Sequence, residues 1–229
     1  LTYADGTSVK AQYDLAGRMV SETDPEGAVT GYGYDRTGRQ VSVTDALGNV
    51  TRYEYDENDC VTKITDALGH ETEYSYDADG NLTSETDALG NTVRYTYTPE
   101  GYLRSETDGE GRVTAYEYDR TGNLTCKRYS DGSVETMEWT PVGQLSVIRN
   151  AEGETACLYD EGGRLLAVME PDGSTVRYTY DDYGNRTSVT YPDGKRAEYT
   201  YDIMNRMVKV KGADGKEVRI RCSREARAD

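Results

Sequence analysis

His70 is the only histidine in the chain. Nucleophilic catalysis of the Ser-His-Asp or Cys-His kind needs an imidazole held between a nucleophile and an orienting group. His70 instead follows a glycine directly, in a slot that Asn49, Asn91 and Arg112 fill elsewhere in the chain. That context predicts a turn residue. A zinc site of the usual kinds needs clustered cysteines and histidines. Cys60, Cys126, Cys157 and Cys222 are scattered, so no metal site and no cofactor are expected. A disulfide ladder would place its cysteines at one recurring offset, and these fall at different offsets, so we read them as free thiols.

Carboxylates are abundant, for instance Asp181-Asp182 and Asp77 with Asp79. Glycoside hydrolysis needs two carboxyls facing each other across a cleft, one of them with a raised pKa. Here the acids recur beside glycines all along the chain, which points to turns closed by side-chain-to-backbone hydrogen bonds. Asp77-Ala78-Asp79-Gly80-Asn81 resembles the start of a calcium loop, but Ala88 stands where the twelfth-position glutamate belongs. Phosphate-cradling glycine loops lead into helix N-termini, and no helical periodicity follows any glycine here. Tyr53, Tyr74, Tyr95 and Tyr116 form a row at intervals of 21 residues. Such rings would stack on sugars or on an unfolded polypeptide, or simply pack within a sheet. No catalytic residue is expected.

The elements that position these groups are set by a repeat. Tyr-Asp occurs at Tyr13-Asp14, Tyr34-Asp35, Tyr55-Asp56, Tyr76-Asp77, Tyr118-Asp119, Tyr159-Asp160, Tyr180-Asp181 and Tyr201-Asp202. The intermediate positions hold Tyr97-Thr98 and Trp139-Thr140, and the spacing is 21 residues except for one step of 20, from Trp139 to Tyr159. A glycine follows three residues after most aspartates, as at Gly17, Gly38, Gly80 and Gly122. Asp59 and Asn205 replace it in two repeats, and both types tolerate the left-handed backbone. A second glycine series runs through Gly27, Gly48, Gly69 and Gly90 to Gly215. The one-residue loss falls between Gly153 and Tyr159 by this spacing.

Each unit therefore has two turns and two intervening segments. In one, Val93, Tyr95 and Tyr97 alternate with Arg94 and Thr96. Period-two alternation of β-branched and aromatic residues predicts a strand. The other segment, typified by residues 81–86, repeats one apolar position among Thr, Ser and Glu. We expect one hairpin per repeat, about ten repeats, and an all-β fold of tandem antiparallel hairpins. These would form a long curved sheet with essentially no helix. A lone hairpin is marginal, and stacked neighbours complete it. Tyrosines at identical offsets are expected to stack along the sheet. One repeat domain is expected over residues 1–219, with a degenerate, frayed tail over 220–229.

Composition narrows the partners. The chain has 229 residues, 21 tyrosines, no phenylalanine and a net charge of −16. That charge repels a phosphate backbone or an anionic membrane surface. No run approaches the roughly 18 apolar residues of a membrane span. The N-terminal residues show no signal peptide, and a piece of a longer chain is expected.

Tyr13-Asp14-Leu15-Ala16-Gly17-Arg18 and Tyr34-Asp35-Arg36-Thr37-Gly38-Arg39 resemble the Y-D-x-x-G-R core of the YD, or Rhs, repeat family. Thr65-Asp66-Ala67-Leu68-Gly69-His70 resembles its second turn. The resemblance covers residues 3 to 222. It implies a segment of a large hollow β-shell that, in bacterial members, encloses a toxic C-terminal polypeptide. On that basis the expected role is structural and non-catalytic. The expected partners are neighbouring repeats or a cargo polypeptide, and the expected location is secreted or cell-surface. The alternative is a carbohydrate-binding adhesion module using the tyrosine row, with glycans as partners.

Overall fold

The structure is a computed structural model that describes residues 7–220. Every regular element among them is a strand, all pairings are antiparallel, and no helix occurs. The chain divides into two compact units, one ending at Ala115 and one beginning at Tyr116. Residues 221–229 of the expected tail, with Cys222, lie outside the described residues.

The first unit contains β1 (Lys10–Tyr13), β2 (Met19–Thr23), β3 (Val29–Tyr34), β4 (Gln40–Thr44), β5 (Val50–Tyr55), β6 (Val61–Thr65), β7 (Glu71–Tyr76), β8 (Leu82–Thr86), β9 (Thr92–Tyr97) and β10 (Leu103–Thr107). β11 (Val113–Tyr118) begins in it and pairs with β10. Each strand pairs with the next in sequence, which makes a meander. The second unit repeats the pattern with β12 (Leu124–Tyr129), β13 (Val134–Trp139), β14 (Leu145–Asn150), β15 (Gly153–Tyr159), β16 (Leu165–Met169), β17 (Thr175–Tyr180), β18 (Arg186–Thr190), β19 (Arg196–Tyr201), β20 (Met207–Lys211) and β21 (Glu217–Arg219). Its described ladder runs from β12 to β21 without a crossover.

One turn geometry serves nearly every connection. In the turn after β6, the Asp66 amide donates to the His70 carbonyl at 2.9 Å and the Gly69 amide to the Asp66 carbonyl at 3.1 Å. Gly69 takes φ 84°. This is a type I turn closed by a left-handed residue, the usual three-residue hairpin loop. A Cβ at Gly69 would meet nothing within 4 Å, so the requirement is backbone conformation and not space. Asp59 and Asn205, in the glycine slot, take φ 65° and 59°. Gly69→Ala should therefore cost about 1 kcal/mol and Gly69→Asn less, read from thermal midpoints. Equal costs would show that the left-handed backbone is not the constraint.

The shortened repeat departs from the spacing argument. Asn150 pairs directly with Gly153. The missing residue is thus absorbed in the turn itself, which tightens to Ala151-Glu152, and not in the strand leading to Tyr159.

Little of the chain is buried. The buried apolar residues among those described are Cys126, Met137, Ala167, Val189 and Ala197, all in the second unit. Among the described residues, each strand of the first unit contacts only its neighbours in the ladder, and no second layer covers either face. Stability must come from the ladder, the turns and contacts between neighbouring strands, as in solenoids.

Candidate functional site, a stitch repeated between hairpins

β2 and β3 are joined by a turn at one end, and at the other their paired positions stop at Ser21↔Gly31. The Met19 carbonyl lies beyond that point and would lack a strand partner. The hydroxyl of Tyr34, the last residue of β3, donates to it at 2.8 Å. The same bond recurs from Tyr55 to Gln40 (2.6 Å), Tyr76 to Val61 (2.9 Å) and Tyr97 to Leu82 (2.8 Å). In the second unit it runs from Tyr180 to Leu165 and Tyr201 to Arg186, each at 2.9 Å. Tyr159 reaches Leu145 at 2.8 Å across 14 residues where the others span 15, as the shortened repeat requires.

This chemistry explains the composition. The slot needs an apolar ring with a donor at its far edge, which Tyr and Trp supply and Phe does not. Trp139 fills it by donating Nε1–H to the Leu124 carbonyl at 2.7 Å. Trp139→Tyr should accordingly stay close to wild type in thermal unfolding, whereas Trp139→Phe should lose about 1 kcal/mol more. Equal losses would remove the donor from the explanation. Tyr13 is exposed, and Tyr118 ends β11 half-buried.

The aspartate after each ring builds the turn. Asp35 Oδ1 accepts from the Thr37 amide (2.9 Å), the Thr37 hydroxyl (2.8 Å) and the Arg39 amide (2.9 Å). Its Oδ2 accepts from Arg39 Nε at 2.7 Å. The Arg39 side-chain bond, with the Thr37 hydroxyl and the Arg39 amide, holds the Asp35 carboxyl far below the usual carboxylate range. Asp119 is held equally low by Thr121 and Asn123. Asp77 uses the same bonds on Asp79 and Asn81, and His70 Nδ1 lies 2.8 Å from Asp66 Oδ2. The calcium-like and histidine motifs therefore resolve into this turn. Among the described residues no group of three or more His, Cys, Asp or Glu is placed to hold a metal ion.

The arginine carries the connection to the next repeat. Arg39 Nη1 donates to the Asp56 carbonyl (2.8 Å) and to Asp59 Oδ1 (3.0 Å), with its guanidinium 4.9 Å over the Tyr55 ring. Arg18 does the same toward Asp35 and Tyr34, and Arg164 toward Asp181 and Tyr180. Gln144 reaches the Gly163 carbonyl at 2.6 Å in the equivalent place. Sequence reasoning saw this arginine only as part of a motif. Its recurrence four residues after aspartate was the available signal for a forward-reaching group.

Tyr53, Tyr74 and Tyr95 sit half-buried on one face. Their direct cross-strand neighbours are Ile64, Glu85 and Glu106. An intervening strand thus separates one repeat's tyrosine from the next, and they do not oppose each other directly. Burial, then the nearby glutamates, pushes the Tyr74 and Tyr95 hydroxyl pKa values up. Tyr116 is half-buried in β11.

A ladder of hairpins in which ring tip, aspartate and arginine recur at fixed offsets defines a tandem-repeat structural protein. The chain belongs to the RHS Repeat family, whose model matches residues 1–29, 13–49, 34–71, 61–92, 76–108, 97–134, 159–196 and 188–217. These matches step over the stretch holding Trp139 and the shortened turn. No curated protein matches the chain. Among solved structures, TcdB2-TccC3 without its hypervariable C-terminal region is similar with TM-score 0.71 and 18% identity, over 88% of this chain and 13% of that one. TcdB2-TccC3-Cdc42 follows at TM-score 0.59 and 16% identity, over 90% and 16%. The Photorhabdus luminescens Tc holotoxin pore aligns at TM-score 0.52 and 15% identity, over 92% and 18%. The chain spans less than a fifth of the length of these structures, and the likeness is one of fold.

Proposed function

We propose that the chain is a non-catalytic length of wall, one repeat domain over residues 1–219, in a larger protein. The wall encloses or presents a polypeptide of that same protein, and it acts outside the cell or at its surface. The observation that carries this reading is the ring-to-carbonyl bond. It recurs at one place in repeat after repeat, so the chain invests its special residues in continuity and in no single locus. Partners are then neighbouring repeats and an enclosed segment. The net charge of −16 disfavours nucleic acid. No helix of the described residues is long and apolar enough to cross a membrane.

Similarity to toxin-complex structures, one of them described as lacking a hypervariable C-terminal region, supports an enclosed C-terminal cargo. The glycan alternative gains nothing from the geometry, because Glu85 and Glu106 interrupt the tyrosine row. The test is limited proteolysis of the full-length protein, comparing the intact wall with Tyr55→Phe/Tyr97→Phe/Tyr180→Phe. The intact wall should protect the polypeptide that follows the repeats, and the variant should expose it. Equal cleavage of that polypeptide in both would overturn the enclosing role.

A further inference from the structure

What stands between consecutive rings differs along the face that carries Tyr53, Tyr74 and Tyr95. Val43 separates Tyr32 from Tyr53, and Ile64 separates Tyr53 from Tyr74. Glu85 stands between Tyr74 and Tyr95. It is directly across from Tyr74 on β7 and from Val93 on β9, two residues before Tyr95. Glu85 is half-buried. Burial first, and then the Glu85 charge with others, raises the hydroxyl pKa values of Tyr74, Tyr76 and Tyr95. Three rings thus share the field of one carboxylate. On the other face of the same strands, Glu71 and Glu73 share Lys63, at 2.9 and 3.0 Å. Among the described residues no lysine or arginine pairs with Glu85.

The second unit shows how such a pair of rings is filled. Tyr178 on β17 and Tyr199 on β19 hold the places of Tyr74 and Tyr95, and Val189 holds that of Glu85. Arg186, the first residue of β18, puts its guanidinium 5.8 Å from the Tyr178 ring and 5.2 Å from the Tyr199 ring. Both distances lie within the range of a cation–π attraction. In the first unit the place of Arg186 is held by Leu82, which brings no charge. Strand spacing puts Tyr74 and Tyr95 roughly 10 Å apart, so a cation midway would lie about 5 Å from each ring. One pair of rings therefore has a cation of its own and no carboxylate. The other has a carboxylate and no cation.

We propose that Tyr74, Glu85 and Tyr95 form a receptor for an arginine side chain of a polypeptide laid along this face. A guanidinium is planar, stacks on aromatic faces and offers a fork of N–H donors to a carboxylate. A lysine ammonium is more strongly hydrated and gives up more on entering between two rings. Arg186 is the molecule's own example of the fit. A single such site is weak, and it gains where the polypeptide is already held close. The site rests on these residues alone. That the arginine belongs to the enclosed polypeptide rests on the reading proposed above.

Titration of the ring-labelled chain with N-acetylarginine amide, followed by nuclear magnetic resonance, tests it. The Tyr74 and Tyr95 ring signals should shift and saturate with a dissociation constant on the order of 10 mM. Tyr178 and Tyr199, already served by Arg186, should not respond. Glu85→Gln keeps the shape and removes the charge, and it should weaken binding at least about fivefold. Leu82→Arg supplies the cation from the chain itself, as Arg186 does, and should abolish binding. Slow exchange at the Tyr97 hydroxyl, which Leu82 accepts through its carbonyl, checks that each variant keeps the fold. The proposal is overturned by silent Tyr74 and Tyr95 rings, by equal shifts with N-acetylglutamine amide, by tighter binding of the lysine amide, by Glu85→Gln binding like wild type, or by Tyr178 and Tyr199 responding equally. If the probe binds but proteolysis finds the following polypeptide unprotected, the site stands and the enclosed polypeptide is removed as the source of its arginine.

Discussion

Changing Tyr55, Tyr97 and Tyr180 together to Phe should lower stability by about 3 kcal/mol, one for each hydroxyl removed. Each ring keeps its apolar body, so packing is nearly unchanged. What is lost is the donor to the Gln40, Leu82 and Leu165 carbonyls, which sit where the paired ladder has ended. The three sites are far apart in sequence and share no partner, so their costs should add. In a protein of this size the thermal midpoint should fall by roughly 6–12 °C. The control is Phe at Tyr53, Tyr95 and Tyr178, two residues earlier on the same strands and the same face. That triple should cost less than about 1 kcal/mol in total. Equal losses in the two triples would mean that the rings act by packing alone.

Acid should unfold the protein, and alkali should do so at the other end of the scale. The turn aspartates, Asp35 and Asp119 most strongly, are held below their ordinary value of 3.8 by hydrogen bonds to arginine, asparagine, threonine and backbone amides. Asp45, Asp77, Asp87 and Asp108 shift the same way. Their folded pKa values lie below the unfolded ones, so the folded state binds fewer protons in that range. Their stabilisation is complete above 3.8 and is lost as pH falls through the folded values. Protonating other carboxylates first relieves the self-repulsion of a −16 chain, an opposing effect. It ends once 26 lysines and arginines are left unopposed. Tyr76, Tyr97, Tyr118 and Tyr159 are raised above their ordinary 10.0, first by burial. Their contribution is present below 10.0 and declines as pH rises beyond it. Thermal midpoints should form a plateau between about pH 5 and 9 and fall on both sides. Asp35→Asn with Asp119→Asn should shallow the acid limb. A midpoint still rising at pH 3 would contradict this account of the turns.

The strands and turns were legible because their requirements are local. Alternation at Val93, Tyr95 and Tyr97 needs no knowledge of neighbours, and a left-handed turn position selects Gly, Asp or Asn from its own backbone angle. Asp59 and Asn205 could be placed on that ground alone. The destination of the tyrosine hydroxyl was not legible. It depends on the register shift beside each ring, as between Glu54 and Tyr55, and on the ladder stopping short of the preceding strand's first residue. The absence of phenylalanine was the visible trace of that requirement. Arg39 likewise reaches Asp56 across 17 residues, a distance no local pattern encodes. The tyrosine row looked continuous because identical offsets were compared without the strand between them, where Glu85 and Glu106 stand. The shortened repeat shows the same limit, since spacing put the lost residue after Gly153 whereas the turn before it, at Ala151-Glu152, absorbs the loss.

The account turns on whether the polar tips of these rings are bound. Hydroxyl-proton exchange, measured by nuclear magnetic resonance on tyrosine labelled at the ring, reads this site by site. Slowly exchanging hydroxyls are predicted for Tyr34, Tyr55, Tyr76, Tyr97, Tyr159, Tyr180 and Tyr201, with fast exchange at Tyr53 and Tyr178. Uniformly fast exchange at all of them would show that the repeats are held together by something other than this bond.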